Sequence, residues 1–255
     1  MLTVKSLYHK LSHLLASGNK LIQKLKVLTL GFWYNVAMKK ILFIHGFGVM
    51  KDARGMFTDL ADSLHDDGYE SILIDLNDTD EAGNLVVSDF SEQVRRVREV
   101  WDKERRNCDL RIVAHSQGCI IAALADLPDI SKTILLTPPT ESSGEEILDY
   151  FRSKPATEIN LAGFSKLARS DGSFTIVPAS YWIEKDSVDT TGLYQKFTEQ
   201  NSVEVVRATN DEVISNVGMP AAFPGIAIRD IATTHNFENQ GRAELVSLVK
   251  ELLEE

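Results

Sequence analysis

Residues 110–124 read Leu-Arg-Ile-Val-Ala-His-Ser-Gln-Gly-Cys-Ile-Ile-Ala-Ala-Leu. Two patterns meet in this stretch. Leu110 to Ala114 is a short apolar run of strand length, and Gly118 to Leu124 reads as a helix opening directly after it. Between them, Ala114-His115-Ser116-Gln117-Gly118 puts a serine in a sharp strand-to-helix turn with a small residue two positions to either side. That is the context of a nucleophile elbow, in which the turn strains the serine backbone and holds the hydroxyl at the edge of a sheet. Gly118 fits the G-x-S-x-G pattern, and Ala114 is the mildest departure from it. The helix N-terminus adds a positive dipole beneath the serine. A serine that merely caps a helix would explain Ser116 but not its small flanking residues.

Outward from this point the chain alternates between apolar runs and amphipathic stretches. Lys40 to His45, Ser71 to Leu76, Thr133 to Thr137 and Val203 to Ala208 read as strands, and Gly225 to Ile228 as the last one. Phe57, Leu60, Ala61 and Leu64 share one helix face, as do Phe90, Val94, Val97 and Trp101; Leu245, Leu248, Val249 and Leu252 mark a closing helix. Strand and helix in alternation predict an α/β fold: a mostly parallel, doubly wound sheet with helices on both faces. Ligands of such sheets bind outside the carboxyl ends of the strands. Residues 140–202 break the rhythm and are too long for an ordinary connection. They hold eight of the chain's twenty aromatic residues. They are read as a cap inserted over the strand ends, with Asp171-Gly172 as a hairpin turn.

A serine nucleophile needs a base and an acid that orients it. Of the six histidines, His9 and His13 fall near the start, His65 ends a polar helix, and His115 adjoins the serine with its side chain directed elsewhere. His235, in Thr233-Thr234-His235-Asn236-Phe237, lies in a loop after the last strand, where a base could reach Ser116. Asp211 follows the strand Val203–Ala208 and is placed to accept the second imidazole N–H. Glu212 is its nearest competitor, Asp230 a poorer one, and a helix-capping role for Asp211 is the plain alternative. His45-Gly46-Phe47-Gly48 closes the first strand. The backbone N–H groups of Phe47 and Gln117 can form the two donors of an oxyanion hole. Gly46 and Gly48 allow the loop's close approach, and His45 is read as its buttress.

With these residues in place the chain resembles the α/β-hydrolase superfamily. The likeness rests on the His-Gly loop, the strand-elbow-helix around Ser116 and the order Ser116, Asp211, His235. It covers roughly residues 38–255, with 140–202 in the place of the family's cap. It implies a serine hydrolase acting on a carboxylic ester or related acyl bond. Thioester, amide, peptide and carbon–carbon substrates stay open, as does a binding protein that keeps the fold without catalysis. A dinucleotide site at Gly46-Phe47-Gly48 with Asp75 is a weaker reading, because Lys51 stands where the third glycine belongs.

Composition limits the partners. The 255 residues carry 27 Lys+Arg against 37 Asp+Glu, net −10. Residues 1–37 hold five lysines and no acid, so residues 38–255 carry −15. Such a body disfavours nucleic acid. A small-molecule acyl substrate with an apolar portion is expected from the aromatic insertion. No cofactor is called for, and no cluster has metal-ligand spacing. Cys108 and Cys119 would sit about 20 Å apart at opposite ends of one strand, too far for a disulfide. Free thiols point to the cytoplasm. Residues 1–37 place Leu7, Leu11, Leu14, Leu21, Leu25 and Leu28 at helical spacings among lysines. That suits an extra leader, peripheral contact with an anionic membrane, or a poor export signal. The oligomeric state is open.

Overall fold

The apolar runs become strands of a six-stranded sheet in the computed structural model, which describes residues 38–141, 144–169 and 171–255. The readings made for residues 1–37 lie outside the described residues. The sheet has the order β10-β9-β6-β5-β1-β2. Its strands are β1 (Met38–Ile44), β2 (Tyr69–Ile74), β5 (Cys108–His115), β6 (Thr133–Leu136), β9 (Val203–Ala208) and β10 (Ile228–Ile231). The pairs β1–β2, β5–β6, β6–β9 and β9–β10 are parallel. Around it run α1 (Met56–His65), α2 (Phe90–Glu104), α3 (Gln117–Ala125) and α8 (Gln240–Glu254).

The pleat sorts the strand residues into two cores. In β1, Ile41 and Phe43 face α1 and α8 with Phe57, Leu60, Leu245 and Val249. Leu42 and Ile44 face the other way, toward Val97, Trp101 and the apolar side chains of α3. Burial on both faces is why these strands read as continuous rather than alternating apolar runs. Helix α3 is buried from Gln117 through Ala123. A helix apolar on all sides belongs in a core, and here it fixes what lies at its first turn.

The segment 140–202 contains α4 (Glu145–Arg152), the antiparallel strands β7 (Phe164–Ala168) and β8 (Phe174–Pro178), α5 (Ala179–Asp186) and α6 (Thr190–Gln200). The turn between β7 and β8 carries Gly172 at φ 85°, as the Asp-Gly pair led one to expect. Two further strands, β3 (Asp78–Thr79) and β4 (Leu85–Val86), complete a second sheet of order β3-β4-β8-β7. At two residues each they are too short to show periodicity. Through β4, the connection after β2 ties this segment into the fold, and residues 39–255 form one compact unit.

The last strand lies three residues later than its sequence reading. Pro224-Gly225 is a turn, with Gly225 at φ 78°, and pairing with β9 begins at Ile228 opposite Val205. Asp230 is thereby inside β10, bonded by both carboxylate oxygens to Arg207 at 2.7 and 2.6 Å. A short helix, α7 (Met219–Ala222), fills the connection between β9 and β10. Cys108 and Cys119 are free. Among the described residues no helix is long and apolar enough to cross a membrane.

Candidate active site

The turn from β5 to α3 holds Ser116 at φ 54°, ψ −129°. A non-glycine residue at positive φ is strained by about 1–3 kcal/mol and persists only where its surroundings fix it. They do so here. Ser116 N–H donates to Leu136 O at 2.9 Å, and Ser116 O accepts from Cys119 N–H at 2.9 Å. The start of α3 lies hard against the end of β1. A Cβ at Gly118 would stand 2.2 Å from Ile44 O and 2.6 Å from His45 O, both backbone atoms. Only glycine fits there. Across the gap, a Cβ at Gly46 would meet Ser116 Cβ at 2.9 Å, so the loop after β1 reaches the serine only because it lacks a side chain. Ser116 makes no capping bond to α3.

His235 and Asp211 come to this serine from the loops after β10 and β9. His235 Nε2 lies 3.1 Å from Ser116 Oγ, and His235 Nδ1 lies 2.8 Å from Asp211 Oδ2. Asp211 accepts the Nδ1–H, which leaves Nε2 to accept from the serine hydroxyl. The Asp211 carboxylate is fully buried. Burial opposes its ionisation, but the imidazole N–H and the N–H groups of Ile214 and Val213 outweigh that and hold its carboxyl below the usual range. The latter two bonds, both 2.9 Å to Oδ1, show a local turn role alongside the contact to histidine.

Two residues outside the expected set hold the backbone of His235. His115 Nε2–H donates to His235 O at 3.0 Å, with the two rings 4.9 Å apart. Glu212 Oε2 accepts from His235 N–H at 3.1 Å. Both main-chain polar groups of His235 are thus bound by side chains. Burial, aided by the neighbouring His235, pushes the His115 pKa down to about 3, so the ring is neutral. The sequence offered one signal for this: a histidine directly before the serine, whose side chain alternation must send to the opposite side of the turn.

The loop after β1 sits beside the elbow. His45 is fully buried. Its Nε2 accepts from Leu76 N–H at 2.9 Å, so its Nδ1–H donates to Gly46 O at 2.9 Å. Burial lowers its pKa. With both nitrogens engaged, His45 fixes the loop to the end of β2. The N–H of Gln117, first in α3, has no acceptor within its helix, and that of Phe47 makes no hydrogen bond among the described residues. The Gln117 side chain is fixed: its Oε1 accepts from Tyr181 Oη on α5, and its Nε2 donates to Gln93 Oε1 at 2.9 Å. Asp75 binds Lys51, by the backbone N–H at 2.7 Å and the ammonium at 3.5 Å.

Ser116 and His235 open on a cavity of about 410 Å³, within the range of small-molecule sites. Of the eight aromatic residues in 140–202, Tyr150 and Phe151 line it. Tyr181, Trp182, Tyr194 and Phe197 are buried in the core shared with α3, and Phe164 is exposed. Four of these aromatic residues thus pack into the core, while Tyr150 and Phe151 border the cavity. Among the described residues no group of His, Cys, Asp and Glu is placed to hold a metal ion.

Solved structures share the arrangement of sheet and helices. The chain aligns with Est1E from Butyrivibrio proteoclasticus at TM-score 0.61 and 16% identity, covering 85% of this chain and 87% of that one. Against the metagenome-derived lipolytic enzymes LipS and LipT the score is 0.64 at 14% identity, covering 86% and 94%. The Pyrococcus furiosus esterase Pf2001 gives 0.59 at 14% identity, covering 86% and 82%. The chain has the α/β-hydrolase fold. No family model matches the sequence, and no curated protein matches it. For an α/β-hydrolase fold, the loops carrying Ser116, Asp211 and His235 are the ones at the carboxyl ends of their strands, where ligands of open parallel sheets bind.

Proposed function

We propose that this protein is a serine hydrolase that cleaves a carboxylic ester through an acyl-enzyme on Ser116. The observation that carries the reading is the continuous chain of hydrogen bonds from Ser116 Oγ through His235 to buried Asp211. The similarity to solved esterases and lipolytic enzymes supports it.

In the proposed reaction His235 Nε2 takes the Ser116 proton as Oγ attacks the ester carbonyl. Asp211 keeps Nδ1–H in the productive tautomer and stabilises the imidazolium. The N–H groups of Phe47 and Gln117 receive the oxyanion, aided by the dipole of α3. The imidazolium then protonates the departing alcohol. Water, deprotonated by the same nitrogen, attacks the acyl carbon and releases the acid and Ser116. In this account residues 140–202 act as a cap over the strand ends, and the free thiols suit a reducing compartment such as the cytoplasm.

A fluorophosphonate probe tests the reading. Labelling is expected at Ser116, and Ser116→Ala is expected to lose both labelling and turnover of p-nitrophenyl esters. Undiminished turnover in that variant would sink the assignment. A fold that only binds ligand would take up no probe.

A further inference from the structure

The lining of the cavity carries cations that the proposed ester chemistry does not use. Residues 38–255 are net −15, yet Arg54, Lys154 and Arg169 all border the space in front of Ser116. They come from three separate segments: the loop before α1, the stretch after α4, and the β7–β8 turn.

Arg54 is exposed at the cavity rim, while Lys154 and Arg169 are held there by neighbouring groups. Arg54 lies in a run of three left-handed residues, Ala53, Arg54 and Gly55, at φ 46°, 58° and 82°. Such backbone strain in a bulky residue collects at ligand-binding positions. Arg54 has no ion pair among the described residues. Lys154 sets its ammonium 4.0 Å from the Tyr150 ring centroid and 4.7 Å from that of Phe151, and among the described residues it has no carboxylate partner. Aromatic faces hold a cation without neutralising it. Arg169 Nη1 donates to Gly48 O at 2.7 Å, which fixes it to the glycine loop beside the serine. Its Nε forms a long ion pair with Asp171 Oδ2 at 3.9 Å, and Asp171 Oδ1 accepts from Ser173 Oγ at 2.6 Å, so the pairing is loose and sits at the turn. Glu212, also on the cavity, is turned by its bond to His235 N–H toward the loop that carries His235. Glu141 is the remaining acid there, and it is exposed.

The geometry points to a substrate that carries its own anion: an ester with a carboxylate or phosphate group held by Arg54, Lys154 and Arg169 while Ser116 attacks the acyl carbon. This rests on the serine-hydrolase reading. In so acidic a body the long-range field repels such a substrate, so close charge-assisted contacts must supply the selection.

The test compares matched esters: the p-nitrophenyl monoester of glutarate against p-nitrophenyl valerate, and acetylated hydroxypropyl phosphate against propyl acetate. The first pair places a carboxylate on the acyl side; the second places a phosphate on the alcohol side. In at least one pair the anionic member is expected to show roughly tenfold higher kcat/KM, carried by KM, as a desolvated charge-assisted contact supplies. The double variant Arg54→Gly, Lys154→Met is expected to bring that ratio toward one. Glycine suits the left-handed backbone at 54, and methionine keeps the stem at 154. Because each variant is read as a ratio of two substrates, a general loss of folded enzyme does not mimic the effect. No preference in either pair, a preference for the neutral member, or a ratio that survives the double variant overturns the inference while leaving the hydrolase reading intact. No turnover of any ester, together with no fluorophosphonate labelling of Ser116, overturns both.

Discussion

The loops that follow β1, β5, β9 and β10 differ from residues 140–202 in how narrowly physics restricts their residues. In the loops, backbone approaches backbone. Gly118 rides against the carbonyl oxygens of Ile44 and His45, and Gly46 against Ser116. One added methyl group would collide with main chain that cannot move away. In the segment 140–202, side chain packs on side chain. Tyr194 lies 4.8 Å from Phe223, and Tyr181 lies 5.0 Å from Trp182 and 5.4 Å from Phe47, between ring centroids. Cores of this kind accept volume-conserving exchanges. The first region is specified by chemistry and backbone geometry, the second by shape. Substitutions in the loops should therefore act on turnover, and those in the segment on stability.

Asp211→Asn should give the largest effect. One side-chain oxygen can still accept from Val213 and Ile214 N–H, so the turn survives. The amide then faces His235 Nδ1 and favours the unproductive tautomer. By analogy with a serine-protease triad, kcat should fall by roughly 10³–10⁴-fold, with little change in the urea midpoint. A fall of less than tenfold would remove Asp211 from the proposed triad and erase the contrast between the two regions.

His115→Phe should give an intermediate effect that links turnover to folding. The ring volume is kept, but His235 O loses its donor while buried, at about 1–3 kcal/mol. As a positioning residue, His115 should change kcat by about tenfold and KM little, whereas Glu212→Gln, which retains an acceptor for His235 N–H, should change less. The pH dependence supplies a second readout. The folded His115 pKa is near 3 and the unfolded one near 6.5. The unfolded chain then binds the extra proton between those values, so stability falls as pH drops through the window. From pH 7 to pH 5 this amounts to about 2 kcal/mol. The variant should lose that share of the pH dependence in urea unfolding. An unchanged slope would show that His115 is not the group responsible.

The same contrast explains what could be read in advance. The elbow was legible because only small residues fit beside Ser116, and a strand, a serine and a helix follow one another without interruption. That Asp211 and His235 would lie near Ser116 was legible from their positions after strands, since parallel topology brings all such loops to one edge. The hold on His235 by His115 and Glu212 was hidden, because neither contact leaves a periodic trace. Strands β3 and β4 were hidden because they exist only by pairing beside β8. The start of β10 was misplaced because Gly225 to Ile228 is apolar enough for a strand, while the turn at Gly225 delays pairing. The aromatic residues of 140–202 divide between the core, where Tyr181, Trp182, Tyr194 and Phe197 pack, and the cavity, which Tyr150 and Phe151 line. Composition shows that they need burial, not which surface buries them.

Tyr181→Phe is the smallest expected effect and the sharpest probe of the boundary between the regions. Tyr181 belongs to α5, yet its hydroxyl donates to Gln117 Oε1, and Gln117 is the residue whose backbone N–H is proposed to face the oxyanion. Burial pushes the phenol pKa well up, so the group stays protonated and remains a donor. Removing it leaves Gln117 Oε1 unpaired, while Gln117 Nε2 still reaches Gln93, whose own amide is held by Ser88 O at 2.6 Å. The stability loss should be about 1 kcal/mol in urea unfolding. If the helix of α3 alone fixes the backbone of Gln117, kcat on p-nitrophenyl esters should change by less than about threefold. A larger fall in kcat with KM unchanged would mean that the inserted segment sets the oxyanion donor through this side chain. Shape in the one region would then be controlling chemistry in the other.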